Sequence, residues 1–487
     1  GLFMETVRDP AGFVAALEKA NHRQIPIVAV KLGRTETGAR MAQSHSGAMA
    51  GFDAAYEALF DRYGVVRVDT IDQLATALTM FAQPHPVGPG GLVTIHDSGG
   101  ERALIIDLAD RAGVPFADLA PDTLVRMKPL LGPGLPVVNP LDAWDTSDNY
   151  SETIVGCLGA MMADPATSVG AMIGDRSPGG GIWSDYRNFL AGAQADTGKP
   201  VFLVSNHQGT GSDPLVFEMT REGLPVLDGV GSFLEGVRCL FEYRDHQARP
   251  AMAPPAVADG MAERWRHRLG DGPLDTSTAM ELLGDFAIPT IPTTVTGDRD
   301  GALTAAEAMG YPVALKTAEL AIAHKTEVGG VHLGLGGRDA VAAAYDDLAA
   351  RLGAQVAVSP MAQAGVEMIL GVINDPQFGP IVMIGTGGVH AETIGDALFA
   401  LPPFDAAWAR RLVDRLALRA LLDGVRGAPP ADIDGLCRAA AHLSVLAAVL
   451  GDAIGEIDIN PLIVGPRGCL AVDALVVPAS LRGVDGP

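Results

Sequence analysis

Cysteine is scarce in this sequence, and the four cysteines form no recognisable site. They stand at positions 157, 239, 437 and 469 of 487 residues, without the spacing of a metal site or a disulfide framework. Scattered cysteines of this kind are typical of a reducing compartment. The pattern therefore argues against a zinc-binding or disulfide-stabilised protein.

Long apolar runs and targeting signals are also missing. Although 48% of the residues are hydrophobic, no run of 18 or more apolar residues is free of charge, proline or glycine, which argues against a membrane-spanning segment. The first residues, GLFMETVRDP, contain no basic region and no cleavage-like site. We therefore expect a cytoplasmic protein.

Positive charge is the third shortage. The formal net charge is −23, and only six residues are lysine. Because nucleic-acid phosphates are held by clustered lysine and arginine, this balance argues against a nucleic-acid partner. Anionic small molecules must then be bound by local arrangements of residues. Two of the six lysines, Lys316 and Lys325, stand close together in one segment.

The pattern that is present predicts about three α/β domains. Residues 1–83 and 91–245 alternate strands and helices, which is typical of flavodoxin-like parallel sheets with helices on both faces. Residues 261–480 instead contain short strands, glycine-rich turns and two helical segments. The chain opens on a strand with no room before it for the rest of a sheet. We therefore expect either a fragment or a partner chain that supplies the missing strands.

A histidine in a loop of small residues is the first candidate for chemistry. Ser44-His45-Ser46-Gly47-Ala48 lies between a predicted strand, 25–31, and a predicted amphipathic helix, 52–63. An imidazole with a pKa near ~6.5 is largely neutral near neutral pH, so one ring nitrogen can act as a nucleophile. The same residue types also favour loops and helix caps, so a purely structural loop is the alternative.

A second candidate is the turn Ser98-Gly99-Gly100, between a predicted strand, 92–96, and a predicted helix, 101–112. The free N–H groups and the dipole at a helix N-terminus favour a bound anion. The alternative is a turn that only connects the strand to the helix.

The third candidate is a polar strand face near the C-terminus. In GEIDIN, residues 455–460, period-two alternation places Glu456, Asp458 and Asn460 on one face of a strand. Carboxylate and amide oxygens suit Mg²⁺ that is held together with nucleotide phosphates. A solvated polar strand face is the alternative.

Other segments of the same domain add residues suited to a nucleotide. A returning strand, 469–473, is predicted to follow a turn over 461–468 and ends at Asp473, which can reach the same face. Lys316 ends a predicted strand and is the kind of single cation that contacts phosphate. After it, AHKTEVGG (323–330) contains a diglycine able to fold over phosphates.

Taken together, these residues resemble the nucleoside-diphosphate-forming acyl-CoA synthetases, relatives of succinyl-CoA synthetase, over essentially the whole chain. SHSGA (44–48) is similar to the phosphohistidine loop of that family. The segments similar to its ATP-grasp domain are AHKTEVGGVHLGL (323–335), GVEMILGVINDPQFGPIVMIGTGGVHAE (365–392) and GEIDINPL (455–462). They occur in the family's order, which is far more specific than any single motif.

The resemblance implies a reversible reaction that joins a carboxylic acid to CoA at the expense of ATP, through an acyl phosphate and a phosphorylated histidine. ATP/ADP and coenzyme A are the implied substrates, and Mg²⁺ is the implied cofactor. His45 would carry the phosphoryl group, and Glu5 would orient its imidazole. His324 matches a second histidine proposed to pass phosphate between His45 and the nucleotide.

The resemblance also implies which residues hold phosphate, metal and nucleotide. Phosphate is expected at Ser98, Gly99 and Gly100, and the metal at Asn460 and Asp473. The implied nucleotide-binding residues are Lys316, Lys325, Gly329, Gly330, Glu367 and Asp458.

Two features depart from the family pattern. The usual CoA-binding Rossmann domain, and the first part of the domain with His45, are absent before Gly1. We therefore expect a homo-oligomer, or pairing with a chain or segment that carries the CoA-binding domain. Relatives often show SGGPG, whereas Glu101 and Arg102 follow the diglycine here. A carboxylate at this helix start opposes a bound phosphate unless Arg102 offsets its charge or Glu101 points away.

Two other function classes remain open. A non-catalytic or regulatory protein that binds acyl-CoA and ATP, related to protein acyltransferases, shares similar domains but tends to lack the phosphohistidine. An ATP-grasp ligase that joins a carboxylate to an amine explains only residues 261–480. The residues do not choose among acids, whose pocket is expected around 139–142 and 177–181.

Overall fold

The computed structural model describes two compact units. Unit 1 comprises residues 1–50 and 63–249, and unit 2 comprises residues 51–62 and 250–487. The described residues are 1–35, 37, 53–143, 149–175, 182–206, 213–270, 272–322, 325–387, 395–425 and 427–481. The predicted histidines His45 and His324 lie outside these ranges. The three predicted domains remain a prediction.

Unit 1 begins with a small parallel sheet in the order β1-β2-β3. Asp9 caps α1 by accepting from the Gly12 N–H, and Thr70 with Gln73 forms a capping box at α3. The elements are β1 (Leu2–Met4), α1 (Pro10–His22), β2 (Ile27–Lys31), α2 (Asp53–Tyr63), β3 (Val65–Arg67) and α3 (Ile71–Phe81). The connection from β2 to β3 contributes most of α2 to unit 2.

The second sheet of unit 1 is also parallel, in the order β5-β4-β6-β7-β8. In chain order this is 2-1-3-4-5, the flavodoxin-like arrangement that the sequence predicts. Its strands are β4 (Gly91–His96), β5 (Leu141–Asp142), β6 (Thr167–Gly174), β7 (Val201–Ser205) and β8 (Val226–Asp228). Its helices are α4 (Gly99–Ala112), α5 (Pro121–Met127), α6 (Tyr150–Ala163), α7 (Asp185–Thr197), α8 (Pro214–Arg221) and α9 (Val230–Gln247).

Helices bury both faces of this second sheet. On one face, α6 and α7 pack on Val93 and Ile95 of β4. On the other face, α3, α4 and α9 pack on Leu92 of β4 and Phe202 of β7. Because both faces are covered, ligands reach this sheet at its edges, where the loops leave the strands.

Unit 2 contains a four-stranded antiparallel sheet in the order β11-β10-β12-β9. Helices α12 and α13 pack together on this sheet and bury Leu303 and Leu348. The elements are α10 (Met261–Gly270), α11 (Thr276–Asp285), β9 (Thr294–Thr296), α12 (Arg299–Met309), β10 (Val313–Thr317), β11 (Val331–Leu335), α13 (Arg338–Arg351) and β12 (Val356–Pro360).

The larger sheet of unit 2 has the order β15-β14-β13-β16-β17, and β18 also pairs with β16. Helices α10, α11, α14 and α15 bury one of its faces. The elements are β13 (Val366–Asp375), β14 (Gly379–Thr386), β15 (Ala397–Ala400), α14 (Ala406–Val413), α15 (Ile433–Leu450), β16 (Ile454–Gly465), β17 (Gly468–Ala471) and β18 (Leu475–Pro478).

The C-terminal hairpin exists, but the predicted turn over 461–468 is wrong. Strand β16 continues to Gly465, and Gly465 pairs with Gly468 of β17. Pro461 lies where the pairing of β16 with β13 shifts register. A proline has no N–H to donate, and a bulge tolerates it without ending the strand.

Among the described residues, one helix, α15, is long and apolar enough to cross a membrane by length and composition. Its apolar window is 67% buried inside the protein. Leu436, Leu443 and Leu446 of this helix lie in the core of unit 2. The core helices of soluble proteins can have the same length and apolar composition, so these two properties of α15 give little support for a membrane span.

Candidate active site

The turn Ser98-Gly99-Gly100 starts α4 at the carboxyl end of β4. Ser98 has an extended backbone and caps the helix, since its hydroxyl accepts from the Gly100 N–H at 3.3 Å. The helix then runs for 14 residues to Ala112. Its N-terminus therefore has the N–H groups and the dipole that favour an anion, and the phosphate role of this turn stays a prediction.

Glu101, in the first turn of α4, is mostly protonated at neutral pH. Burial and the neighbouring charge of Asp97 together raise the pKa of its carboxyl group to about 8. The two carboxyl groups hydrogen-bond to each other, and the Asn206 amide donates to Glu101. A protonated carboxyl group does not oppose a bound phosphate. Neither an offset of its charge by Arg102 nor a Glu101 side chain that points away is therefore needed.

Arg102 acts on a different neighbour. It lowers the pKa of His96, which falls to about 4, mainly because the imidazole is buried. His96 is only 1% exposed, and its Nε2 lies 2.8 Å from the Thr94 hydroxyl. His96 is therefore neutral near pH 7 and belongs to the packing beneath α4.

The carboxyl edge of the second sheet collects further polar groups. Asp97 follows β4, Asp175 follows β6 and Asn206 follows β7. The Asn206 amide donates to Asp175 at 3.1 Å. Burial raises the pKa of Asp97, and the charges of Asp175 and Asp142 raise it further. These side chains therefore form one acidic cluster at the edge where parallel α/β sheets bind ligands.

Asn139, in the predicted substrate pocket, has a structural role. Its amide donates to the carbonyls of Leu92 and Ala117, each at 2.9 Å, and its oxygen accepts from the Thr94 N–H at 3.2 Å. It therefore ties the start of β4 to the loops beside it. The other predicted pocket segment, 177–181, lies outside the described residues.

Glu5 lies directly after β1, and the segment with His45 follows β2. Because β1 and β2 are parallel neighbours, both connections leave from the same edge of the sheet. The pairing of Glu5 with His45 stays a prediction, since His45 lies outside the described residues.

The strand β16 has the polar face that the sequence predicts. Ile457 and Ile459 are buried in the core, whereas Glu456 and Asn460 are exposed and Asp458 is partly exposed. Asp458 lies opposite Gly371 of β13, which has no side chain to cover it. The predicted alternation is confirmed. It places a strip of polar residues along one face of the sheet.

Glu367 lies on the same open face. It pairs with Ile463 in the ladder between β13 and β16, and its neighbour Met368 points into the core. The Gly387 N–H donates to the Glu367 carbonyl at 2.8 Å. A side chain at Gly387 would touch that backbone at 3.0 Å, so the glycine permits a close approach.

Two lysines meet one carboxylate beside this face. The Lys325 ammonium lies 2.7 and 2.9 Å from the two oxygens of Asp473. The Lys316 ammonium donates to the Val472 carbonyl at 2.9 Å and lies 3.7 Å from Asp473. Burial lowers the pKa of Lys316, whereas the charge of Asp473 raises it and that of Lys325 lowers it further.

The diglycine builds the turn that carries Lys325. Gly329 has φ +62°, and the Gly330 N–H donates to the Lys325 carbonyl at 2.7 Å. A side chain at Gly330 would lie 2.7 Å from the Thr317 methyl group. The Thr317 N–H in turn donates to the Gly330 carbonyl at 2.8 Å. The turn is thus fastened to the residue after Lys316.

Helix α2 covers part of the open sheet face within unit 2. Ala55 and Ala58 pack on Ile381, with Ile373 beside them. The Tyr56 hydroxyl donates to Gln377 at 3.0 Å. Ile373 pairs with Glu456, so the helix lies on the same face as the polar residues of β16.

Two family models match separate parts of the chain. One is described as an ATP-grasp domain and matches residues 267–477, and the other is described as a succinyl-CoA ligase like flavodoxin domain and matches residues 1–81. Trans-feruloyl-CoA synthase FCS1 from an unknown prokaryotic organism is 29% identical, over 98% of this chain and 68% of that protein. The ADP-forming acetate–CoA ligase I of Archaeoglobus fulgidus is 28% identical, over 98% of this chain and 69% of that protein.

A further relative has higher identity over a shorter stretch. The beta subunit of the ADP-forming acetate–CoA ligase II of Pyrococcus furiosus is 32% identical, over 41% of this chain and 89% of that subunit. The chain belongs to the ADP-forming acyl-CoA synthetases. The expectation that their CoA-binding domain is absent from this chain is not borne out, because the succinyl-CoA ligase like flavodoxin model matches from residue 1.

For an ADP-forming acyl-CoA synthetase, the predicted metal ligands suit Mg²⁺. Asn460 and Asp473 offer oxygen donors, and the Val472 N–H donates to the Pro461 carbonyl at 3.1 Å, which joins the segments that carry them. In the described ranges no three His, Cys, Asp or Glu side chains are grouped as a metal site. Such a pair of oxygen donors fits an ion that takes its other ligands from phosphates and water.

Sequence reasoning missed the acidic cluster of this acyl-CoA synthetase. Asp97, Asp175 and Asn206 lie far apart in the chain, but each is the first residue after a strand of one parallel sheet. That position was the available signal, because the carboxyl ends of parallel strands meet at one edge. Which of them approach Glu101 depends on the strand order.

Proposed function

We propose that this chain interconverts a carboxylic acid, CoA and ATP with acyl-CoA, ADP and phosphate, through an acyl phosphate and a phosphoryl group carried on His45. Two parts of the fold would serve the two half-reactions. The open face of the large sheet in unit 2 would hold the nucleotide, and the start of α4 in unit 1 would hold the phosphate during acyl transfer.

The observation that supports this proposal most is the position of α2. The helix begins at Asp53, eight residues after His45. It packs on the sheet face that carries Asp458 and Glu367. Eight residues span at most about 28 Å. The chain therefore keeps His45 within about 28 Å of the first residue of α2.

Contacts along α2 hold the helix in this position. The Arg411 guanidinium pairs with Asp61 at 3.1 Å, and Arg62 donates to the Pro403 carbonyl at 3.0 Å. Arg62 also lies over the Trp408 ring, 5.7 Å from its centroid. A buried face and two arginines therefore hold α2 on unit 2.

The proposed reaction has three balanced steps. The γ-phosphoryl group of ATP moves to a ring nitrogen of His45, and ADP leaves. A carboxylate oxygen of the acid attacks phosphorus, the P–N bond breaks, and the acyl phosphate forms. The CoA sulfur then attacks the acyl carbon, the C–O bond breaks, and phosphate leaves with the thiol proton. A covalent carrier divides one demanding condensation into easier transfers.

Cationic groups would neutralise charge in the nucleotide half-reaction. Lys316 and Lys325 supply two ammonium groups next to the polar face. Asn460 and Asp473 would hold Mg²⁺, which stabilises charge on the transferring phosphoryl group when it is bound. Glu5 would accept a hydrogen bond from the second ring nitrogen of His45 and so fix its tautomer, and His324 would relay the phosphoryl group.

The start of α4 would serve the acyl half-reaction. Its N-terminal N–H groups favour the phosphate dianion, and Glu101 adds no full negative charge because its pKa is raised to about 8. Coenzyme A would be bound with the help of a partner chain or a second copy, since relatives such as the Pyrococcus furiosus beta subunit are named as subunits.

The test is a phosphorylation assay with γ-labelled ATP and Mg²⁺ on the full chain. Phosphohistidine is acid-labile and base-stable, and mass spectrometry locates it. We expect label on His45 that is lost in His45→Ala and reduced in His324→Ala. His22 is exposed at the end of α1, so His22→Ala is the matched control and should retain the label.

The assay also separates the proposal from a regulatory protein. The labelling is repeated in the presence of CoA and a carboxylic acid, and acyl-CoA formation is followed by mass spectrometry. ATP binding with no labelled histidine under both conditions would reject the relay and favour an ATP- and acyl-CoA-binding regulator.

A further inference from the structure

Two lysines of unit 2 share one carboxylate. The Lys325 ammonium lies 2.7 and 2.9 Å from the two Asp473 oxygens, and the Lys316 ammonium lies 3.7 Å from the same group. Among the described residues, no other carboxylate pairs with either lysine. The three side chains are between 9% and 16% exposed, so they carry a surplus positive charge with little access to water. Such a surplus favours an anionic ligand.

The carboxylate is held in place by the backbone around it. The Ala474 N–H donates to Asp473 Oδ1 at 2.9 Å. The Val472 N–H donates to the Pro461 carbonyl at 3.1 Å, which ties the segment before Asp473 to the strand that carries Asn460. A carboxylate that its neighbours already orient is suited to bind a metal ion.

Lys316 is the second fixed group. Its ammonium donates to the Val472 carbonyl at 2.9 Å. The residue lies in β10, which pairs with β11 on one side and with β12 on the other. Because both its backbone and its ammonium are held, Lys316 stays beside Asp473 whether or not Lys325 does.

Lys325 is the member of the cluster that can leave. Its turn is fastened to α13, because the Arg351 guanidinium donates to the carbonyls of Val328 and Gly329 at 3.2 and 2.9 Å. Within the described ranges, only Asp473 accepts from the Lys325 ammonium. A lysine ammonium ends a flexible four-carbon stem. It can therefore change partner while the turn that carries it stays in place.

A metal ion and Lys325 compete for the same two oxygens. Mg²⁺ binds a carboxylate oxygen at about 2.1 Å, so an ion on Asp473 would lie against the ammonium and be repelled by it. The phosphates of a nucleotide offer the ammonium another charged acceptor, and the exchange replaces one charge-assisted hydrogen bond with another. A nucleotide can therefore release the carboxylate that a free ion must compete for.

We propose that Lys325 makes metal binding at Asp473 conditional on the nucleotide. In the free protein the ammonium holds the carboxylate, and the nucleotide phosphates draw it away, so that the carboxylate becomes available to Mg²⁺ only when the nucleotide is bound. This rests on the proposed function, which places the nucleotide and Mg²⁺ on this face. Lys325 then has two partners in turn, whereas Lys316 keeps its place throughout.

The test is binding of ADP to the full chain by calorimetry, with a chelator that removes divalent metal ions. Asp473→Asn releases Lys325 before the nucleotide arrives, so we expect it to raise the affinity for metal-free ADP by about five- to tenfold. Lys325→Met removes the ammonium and should lower that affinity. Asp473→Asn added to Lys325→Met should give no gain, because no ammonium is left to release.

A second condition and a control exclude a general effect of charge. With Mg²⁺ present, Asp473→Asn should lower the affinity for ADP, because the variant then lacks a metal ligand. Asp434→Asn is the matched control. It removes a carboxylate from the exposed ion pair of Asp434 with Arg410, also in unit 2, and changes the net charge equally. It should bind ADP like the wild type under both conditions.

The outcomes separate this inference from the proposed relay. An unchanged or lower affinity of Asp473→Asn for metal-free ADP, a gain that remains in the Lys325→Met background, or an equal gain with Mg²⁺ would each overturn the exchange. Phosphohistidine on His45 would then still support the relay. The expected pattern without phosphohistidine would support the exchange and reject the relay. A wild-type chain that binds ADP under neither condition would reject the nucleotide site and the exchange together.

Discussion

Lys325 and Asp473 form a two-point ion pair across 148 residues of sequence. The ammonium lies 2.7 and 2.9 Å from the two carboxylate oxygens, and the side chains are 12% and 16% exposed. Asp473 is also a predicted magnesium ligand. Lys325 therefore pairs with the carboxylate that a magnesium ion would coordinate.

We expect Lys325→Ala to raise the affinity of the nucleotide-free protein for Mn²⁺, as a Mg²⁺ probe, by about five- to tenfold. The reason is that Asp473 then keeps its charge without a competing cation. Electron paramagnetic resonance of free Mn²⁺ measures the affinity. Lys325→Arg retains the charge and should stay near the wild-type value, and an unchanged affinity in Lys325→Ala would contradict the competition.

Lys316 should matter for nucleotide binding more than for stability. Its ammonium is buried, with its pKa lowered by desolvation, so Lys316→Met removes a costly buried charge and should leave the melting temperature equal or higher. We expect the affinity for ATP to fall at least tenfold in calorimetry. Lys19→Met, at an exposed site on α1, is the control. Unchanged ATP affinity in Lys316→Met would remove Lys316 from the nucleotide site.

The Asp97–Glu101 pair should make the protein less stable as pH rises. The pKa of Glu101 is about 8 when folded against 4.5 normally, so between these values the folded state binds more protons than the unfolded state. Stability therefore falls from about pH 5 to pH 8. Glu101→Gln should flatten this dependence of the melting temperature. If the melting temperature of Glu101→Gln falls with pH as much as that of the wild type, other titrating groups cause the decline.

Docking of α2 should control phosphorylation of His45. Ala58 is 1% exposed against Ile381, so Ala58→Arg should displace the helix from the sheet. We expect labelling from γ-labelled ATP to fall about tenfold while ATP affinity stays the same, since the predicted nucleotide-binding residues are untouched. Glu57→Gln, at an exposed site on the same helix, should label normally. Full labelling of Ala58→Arg would show that the docked helix is not required.

Asn139 should act on stability and not on binding. Asn139→Ala loses three hydrogen bonds to the backbone, each worth about 1 kcal/mol net, so the free energy of unfolding should fall by about 2–4 kcal/mol in urea denaturation. Asn188→Ala, at an exposed asparagine of α7, is the control and should change it by less than about 0.5 kcal/mol. A loss no larger than that of the control would contradict the structural role.

Much of the fold was predictable because its signals are local. The alternation of Glu456, Asp458 and Asn460 with buried isoleucines predicts one polar strand face, and the face is present. The turn after it was not predictable in the same way. Proline is a frequent turn residue, and only the place of Pro461 at a bulge beside β13 explains why the strand continues.

The sequence by itself determined the order of the elements, the glycines of the Lys325 turn and the family of the enzyme, because periodicity, caps and motifs act within a few residues. Only the tertiary structure decided that Lys325 meets Asp473, that α2 packs on the large sheet of unit 2 and that Glu101 keeps its proton. Each of these depends on burial and charge from residues distant in the chain. Strand order and helix packing set those surroundings, and no local pattern encodes them.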